Sequence, residues 1–318
     1  MSSCPFSPFS WLLLLLFSSV TAAVPALARP AHSPDAPEPR QAMRDLVIAI
    51  SQTAKAARPG FLIVPQNGIE LVTAVPDDPQ APLVAPYLAA IDAVGQEDLF
   101  YGMDKDDHPS PPRETARLLA YLDRVRAAGK PVLVTDYCST PAHVAESRRQ
   151  NDAHRFHSFQ APSRELDCIP ADLPATSFLY LLNADFNRRD LLVQALAATP
   201  ATLLVIDPCA SDGSPLTPAD LVRLRHRPDG TSRRVLAYLS IGEAETYRPY
   251  WQPSWSRQPP PWLDAPNPDW PDNYKVRYWH PDWQQLLFRA PDSALAHILA
   301  AGFDGAYLDI IDAFEHFE

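Results

Sequence analysis

A repeated alternation runs along the chain from residue 43 to its end. A helical stretch is followed by a short apolar, β-rich run, and that run ends on a polar or acidic side chain. Residues 43–57 interleave Leu46, Ile48, Ile50 and Ala54 with polar positions, and the strand 61–64 follows and ends in Pro65-Gln66-Asn67-Gly68. The stretch 87–91 leads to Gly95-Gln96-Glu97-Asp98. The helix 114–128 stops at Gly129, as a C-cap should, before the strand 131–135 and Asp136-Tyr137. Helix 142–154 precedes a weaker strand at 156–160, and a fifth strand, 178–182, ends at Asn183. Helix 191–198 feeds the strand 202–206 and Asp207. Thr217 and Pro218 open a further helix as N-cap and first residue. The strand 235–241 runs into Gly242-Glu243-Ala244-Glu245, and a long helix, 283–301, leads to the strand 306–308, Asp309 and Asp312. Alternation of this kind predicts a parallel sheet in the α/β class. Strands that are apolar on both faces, eight in number, fit a (β/α)8 TIM barrel. An open doubly wound nucleotide fold loses support, because no G-x-G-x-x-G or Walker pattern follows any strand.

The strand ends carry the chemistry. In a (β/α)8 barrel they converge on one mouth, and polar groups closing apolar strands are costly unless the mouth uses them. Any one of these residues alone reads as a cap or loop residue; the set reads as a site. Its acids are Glu97, Asp98, Asp136, Asp207, Glu243, Glu245, Asp309 and Asp312, with Gln66 and Asn67 beside them. Such a ring suits acid/base hydrolysis or a metal. His154, His157, His280 and His316 lack ligand spacing, so the expectation is chemistry without metal or cofactor.

Tryptophan is the second signal. Six of the seven lie between Trp251 and Trp283, in a proline-rich stretch after the seventh strand that also holds Tyr247, Tyr250, Tyr274 and Tyr278. Flat rings with polar edges suit stacking on sugars, while about half of them are expected to pack the loop itself. Two carboxyls plus aromatic platforms point to glycoside hydrolysis, in which one acid stays protonated and the other stays charged. The catalytic candidates are Glu245 and Asp309, on adjacent strands, with Asp207, Glu243 and Asp312 in support. Candidate substrate contacts are Gln66, Asn67, Glu97, Asp98, Asp136, Tyr137, Tyr238, Arg248, Trp251, Tyr278, Trp279 and Tyr307.

Composition narrows the setting. A net charge of −11 argues against nucleic acid as a partner, since phosphate binding needs a basic surface. Residues 1–28 carry no charged side chain, hold a short apolar run at 11–17 and end in Ala26-Leu27-Ala28. This reads as a secretory signal peptide, because the run is too short to span a bilayer, which takes roughly 20 residues. A Pro-rich leader over 29–40 and one domain over 41–318 complete the expected layout of a secreted or periplasmic protein. Cys138, Cys168 and Cys209 remain in the mature chain; a single disulfide is compatible with their number, and its pairing is open.

Three segments together are quite specific: residues 239–248 (LSIGEAETYR), Tyr278-Trp279 and residues 302–312 (GFDGAYLDIID). With Pro65-Gln66-Asn67-Gly68, Gly95-Gln96-Glu97-Asp98 and Thr135-Asp136-Tyr137-Cys138, they resemble the endo-α-1,4-polygalactosaminidase family, glycoside hydrolase family 114. The closer likeness is to its extracellular branch once labelled as related to cysteinyl-tRNA synthetase. That label has no support in the residues, since no H-x-G-H signature is present. The resemblance implies a TIM barrel, endo-hydrolysis of an α-linked amino-sugar polysaccharide, and roles for Glu245 and Asp309. In the family the Gln-Asn-Gly, Gln-Glu-Asp and Asp-Tyr segments come last; here they come first, so the resemblance implies a circular permutation. Helix 43–57 would then stand where the helix after the eighth strand belongs, with 163–177 as the new linker. Tyr307 and Tyr250 stand where the family has acids, so the transfer of roles and substrate is not one to one. A glycan-binding barrel without catalysis is the competing expectation.

Overall fold

A computed structural model describes residues 37–318. The expected signal peptide and most of the leader lie outside the described residues. In chain order the elements are α1 (Pro39–Ala57), β1 (Leu62–Pro65), α2 (Ala85–Ala90), β2 (Val94–Glu97), α3 (Pro112–Ala127), β3 (Val132–Tyr137), α4 (Pro141–His154) and β4 (His157–Ala161). There follow β5 (Phe178–Leu181), α5 (Arg189–Ala197), β6 (Leu203–Ile206), α6 (Pro218–Leu224), β7 (Arg234–Ser240), β8 (Glu243–Glu245), β9 (Leu263–Pro266) and β10 (Asn273–Val276). The chain ends with α7 (Pro281–Gln284), α8 (Ala294–Ala301), β11 (Gly305–Asp309) and α9 (Phe314–Phe317).

The class is α/β with parallel sheets. One sheet has the order β1-β11-β7-β6-β5 and another β2-β3-β4, both parallel; β8-β10-β9 form a small antiparallel sheet. A parallel bridge from Gln66 to Gly95 links β1 to β2, and the Asn67 amide donates to the Gly95 carbonyl at 3.0 Å. β4 lies beside β5, where the Ser177 hydroxyl donates to the Ser158 carbonyl.

Strand period two decides which side chains share a face. Register aligns Tyr307 with Tyr238 and Val64, and Tyr180 with Val205. One face therefore collects Tyr180, Tyr238 and Tyr307, all buried, with the Tyr180 and Tyr307 rings 5.2 Å apart. Gly95 is required there: a Cβ on it would lie 2.0 Å from the Tyr307 hydroxyl. Two residues further toward the C-terminus on the same faces stand Gln66, Glu97, Leu182, Asp207 and Asp309, and Tyr137 lies two residues beyond the level of Glu97.

The N-terminal helix closes against the C-terminus. Arg40 pairs with Glu318 at 2.6 Å and lies over the Phe314 ring, and the Tyr278 hydroxyl donates to the Pro39 carbonyl at 2.8 Å. Met43, Leu46, Val47, Ile50 and Ala54 form its buried stripe. It begins at Pro39, inside the stretch expected as leader, because Glu38 caps it through the amides of Arg40 and Gln41.

Two expectations need correction. The predicted helix 283–301 is broken: after α7 the chain makes one π turn, Gln285–Arg289, and Ala290 leaves the helical region at ψ 153°. Pro291 is the cause, since the residue before proline is driven to extended backbone; α8 restarts from the Ser293 cap. The expected Trp-rich loop is in part the β8-β10-β9 sheet, stacked under its own aromatic cluster.

Candidate active site

A cavity of about 200 Å³ opens at the C-terminal ends of the parallel strands. Its wall includes Asn67, Glu97, Tyr137, Asp207, Tyr238, Glu245, Arg248, Asp309 and Asp312 from the expected set. Arg164, Tyr180, Asn183, Tyr247, Trp270 and Asn273 complete the polar and aromatic lining. Arg164 sits in the segment expected to be a mere linker, and nothing in its sequence spacing marks it. Asn273 comes from the antiparallel sheet.

Glu245 and Asp207 share one guanidinium. Arg248 donates from Nε to Glu245 Oε2 at 2.6 Å and lies 2.8 Å from Asp207 Oδ2. The Tyr247 hydroxyl donates to Glu245 Oε1 at 2.5 Å. Burial alone would lower the pKa of Arg248, but the two carboxylates raise it overall. Burial raises the pKa of Asp207, with Arg248 opposing the shift. Glu245 therefore presents a buried carboxylate paired with a cation to the cavity.

Among the described residues Asp309 and Glu97 have no such ion-pair partner. Asp309 accepts from Gln66 Nε2 at 3.2 Å and from the Ile310 amide at 2.8 Å. Glu97 accepts from Asn67 Nδ2 at 3.1 Å and from the Tyr137 hydroxyl. Burial, reinforced by Glu97, holds the Asp309 carboxyl well above the usual carboxylate range. Burial likewise pushes Glu97 up to about 7, with Asp98 adding to the effect. Asp312 is pushed up to about 6 by burial, against the pull of Lys275.

Several expected contacts lie off the cavity. Asp136 faces the helix side of β3, where it accepts from the amides of Phe100 and Tyr101, from Ser147 and from Asn151. Strand parity explains this, because a one-residue offset from Thr135 and Tyr137 turns a side chain to the other face. Asp98 accepts from Arg164 and so supports the wall from behind. Gln66 reaches the cavity only through Asp309. Glu243 is fully buried, paired with Lys275 at 2.6 Å and with Asn267 at 2.9 Å. Tyr307 lies beneath the floor.

The tryptophans mostly build the scaffold. Trp251, Trp255, Trp262 and Trp283 form a chain of ring contacts 5.0–5.3 Å apart, and Trp283 donates to the Ile241 carbonyl at 3.0 Å. Tyr278 and Trp279 pack on Phe317 instead of on the cavity. Among the described residues Trp270 is the one tryptophan that lines the cavity, and it is 42% exposed. Among the described residues no group of three or more His, Cys, Asp or Glu is arranged to hold a metal ion, and no helix is long and apolar enough to cross a membrane.

Three relatives share part of this chain. An uncharacterised protein of Deinococcus radiodurans is 41% identical over 123 residues, covering 39% of this chain and 37% of that one. One of Methanocaldococcus jannaschii is 38% identical over 139 residues, covering 43% and 36%. One of Thermotoga maritima is 46% identical over 81 residues, covering 26% and 24%. The matched stretches thus span between 24% and 37% of these relatives' lengths. Residues 175–318 match the family model described as glycoside-hydrolase family GH114.

Proposed function

We propose that the protein is an exported glycoside hydrolase that cleaves an α-linked amino-sugar polysaccharide within the chain. The observation that carries this reading is the pairing of two unlike carboxyls in one cavity: Glu245 held against Arg248, and Asp309 partly buried with neutral donors only. That is the division of labour glycoside hydrolysis needs. Asp309 gives its proton to the glycosidic oxygen, and the C–O bond breaks with its electron pair going to that oxygen. The anomeric carbon then gains an oxygen, from Glu245 itself or from a water that Glu245 deprotonates. One water is consumed overall, and Asp309 is reprotonated.

Substrate class follows from charge and shape. The cavity wall holds five carboxyls and two arginines, both arginines engaged by acids, and the chain is acidic overall. A cationic amino-sugar polymer is steered to such a mouth. The volume is below the roughly 300–1,000 Å³ of ordinary ligand pockets, so one ring enters while the polymer runs over Trp270 and Tyr247 at the rim. We further propose that the parallel strands form one (β/α)8 barrel in the cyclic order β1-β2-β3-β4-β5-β6-β7-β11. In it α1 fills the helix position between β11 and β1, as a permuted chain requires; its contact with the C-terminal segment supports this.

Purified protein screened against galactosamine-containing and glucosamine-containing polymers tests the activity. Glu245→Gln and Asp309→Asn should each lower kcat by about 10²–10⁴-fold, the usual worth of a positioned acid or base. Product release that survives both substitutions would sink the reading. Saccharide binding without any product would favour the glycan-binding barrel instead.

A further inference from the structure

We propose that Glu97 and Asp309 share one proton across the cavity, with Asp309 as its holder, so that Glu97 keeps Asp309 a working acid. This rests on the glycosidase reading above. It assigns a role to the part of the chain outside the family match, since Glu97 lies on β2 and Asp309 on β11.

Two cations line the cavity, and both are spent. Arg248 is held by Glu245 and Asp207. Arg164 donates to Asp98 at 2.8 Å and 3.1 Å, to Asp106 at 2.9 Å and to the Gly102 carbonyl at 2.8 Å. Glu97 and Asp309 are left with neutral donors: Asn67, Tyr137, Gln66 and the Ile310 amide. Gln66 and Asn67 are consecutive, so one turn of chain holds the two carboxyls at the same cavity. Two partly buried carboxyls that line one cavity, neither ion-paired to a cation, do not both ionise near neutrality.

Arg164 favours the charged form of Glu97 only in part, since burial still raises the carboxyl overall. Facing Glu97 are Asp98, Arg164, Tyr137, Tyr180 and Tyr307; facing Asp309 are Asp312, Tyr180, Tyr238 and Tyr307. Burial pushes all four tyrosines up, so they stay neutral. Asp312 adds a further negative charge beside Asp309 as it ionises. Glu97 ionises first, near 7, and its charge then holds the proton on Asp309. Glu97 acts through Asp309 and is a positioning residue.

The test reads the proton directly. Difference infrared spectroscopy of the full-length protein should show a protonated carboxyl at pH 8 that vanishes in Asp309→Asn. In Glu97→Gln the same band should titrate at least one pH unit lower, and the basic limb of the kcat/KM profile should fall by the same amount. That substitution can set an amide nitrogen against the Asn67 donor, so the variant can misfold. The reciprocal measurement then decides, since Glu97 should ionise at least one unit lower in Asp309→Asn. A band in Glu97→Gln that titrates as in the parent, or one that persists in Asp309→Asn, overturns the pair. Hydrolysis together with an unmoved band refutes this inference alone. A shifted band without hydrolysis of any amino-sugar polymer refutes the glycosidase reading and leaves the shared proton standing.

Discussion

Arg248 holds two acids that sit in different elements, Asp207 just past β6 and Glu245 at the end of β8, and its own side chain is only 12% exposed. Removing one partner from a buried ion pair leaves an uncompensated charge, at a cost of about 3–5 kcal/mol. Arg248→Met should therefore lower unfolding free energy by roughly that amount in a denaturant titration, and Arg248→Lys by less, because it keeps the charge without the fork. A neutral outcome for Arg248→Met would mean that Glu245 and Asp207 are solvated. Asp312 carries the opposite sign. Its folded pKa of about 6 lies above the ordinary aspartate value, so the folded state binds the proton more tightly than the unfolded one. Its contribution is then full below about pH 4 and is lost as pH rises to about 6. Asp312→Asn should flatten that slope by on the order of 1–2 kcal/mol, measured as stability at pH 4.5 against pH 7. An unchanged slope would refute it. At this scale the sequence was partly legible. Period two already separates Tyr137 from Asp136, yet both follow an apolar run, and a strand boundary read to within a residue or two cannot tell mouth from helix face. Arg164 had no signal of any kind, since it acts by reaching from a loop to Asp98.

Elements were more legible than residues, because apolar runs and capping residues act locally. The Gly129 stop and the Thr217 cap stand where the pattern put them, and the structure adds Asp220 to the cap. The stretch 242–283 resisted. Its alternation is weak, and its strands form only because β10 pairs with β8 through Asn273–Glu245 and Lys275–Glu243. Pairings at that separation leave no local trace. The aromatic residues there divide by burial. Trp262 is 2% exposed between Trp255 and Trp283, so Trp262→Ala should cost about 3–5 kcal/mol and lower Tm by several degrees. Trp270 stands at the cavity rim, so Trp270→Ala should leave Tm nearly unchanged and weaken saccharide binding about tenfold by calorimetry. Equal effects of the two substitutions on Tm would show that Trp270 is part of the scaffold.

At the scale of the molecule, the family-matched segment does not own its site. Residues 175–318 supply Asp207, Glu245, Arg248 and Asp309, while Asn67, Glu97, Tyr137 and Arg164 come from before it. The backbone is divided in the same way, because β11, which carries Asp309, is paired on one side by β7 and on the other by β1. Alternation of helices and strands announced a parallel α/β fold, but it is blind to which strand lies beside which, and hence to this dependence. Expressed alone, residues 175–318 would expose the β11 edge and the Tyr307 face that Gly95 covers. They would also lose the α1 stripe of Met43, Leu46, Val47 and Ile50. That fragment should show no cooperative thermal transition. Mixed with residues 37–174 it should regain one, together with the Arg40–Glu318 contact across the junction. Each missing face is apolar and the new edge is unpaired, so the fragment has less to bury per residue ordered than the whole chain has. A sharp, reversible transition for residues 175–318 alone, measured by near-UV circular dichroism, would show instead that they are an independent unit and that Glu97 is dispensable to the fold that presents Asp309.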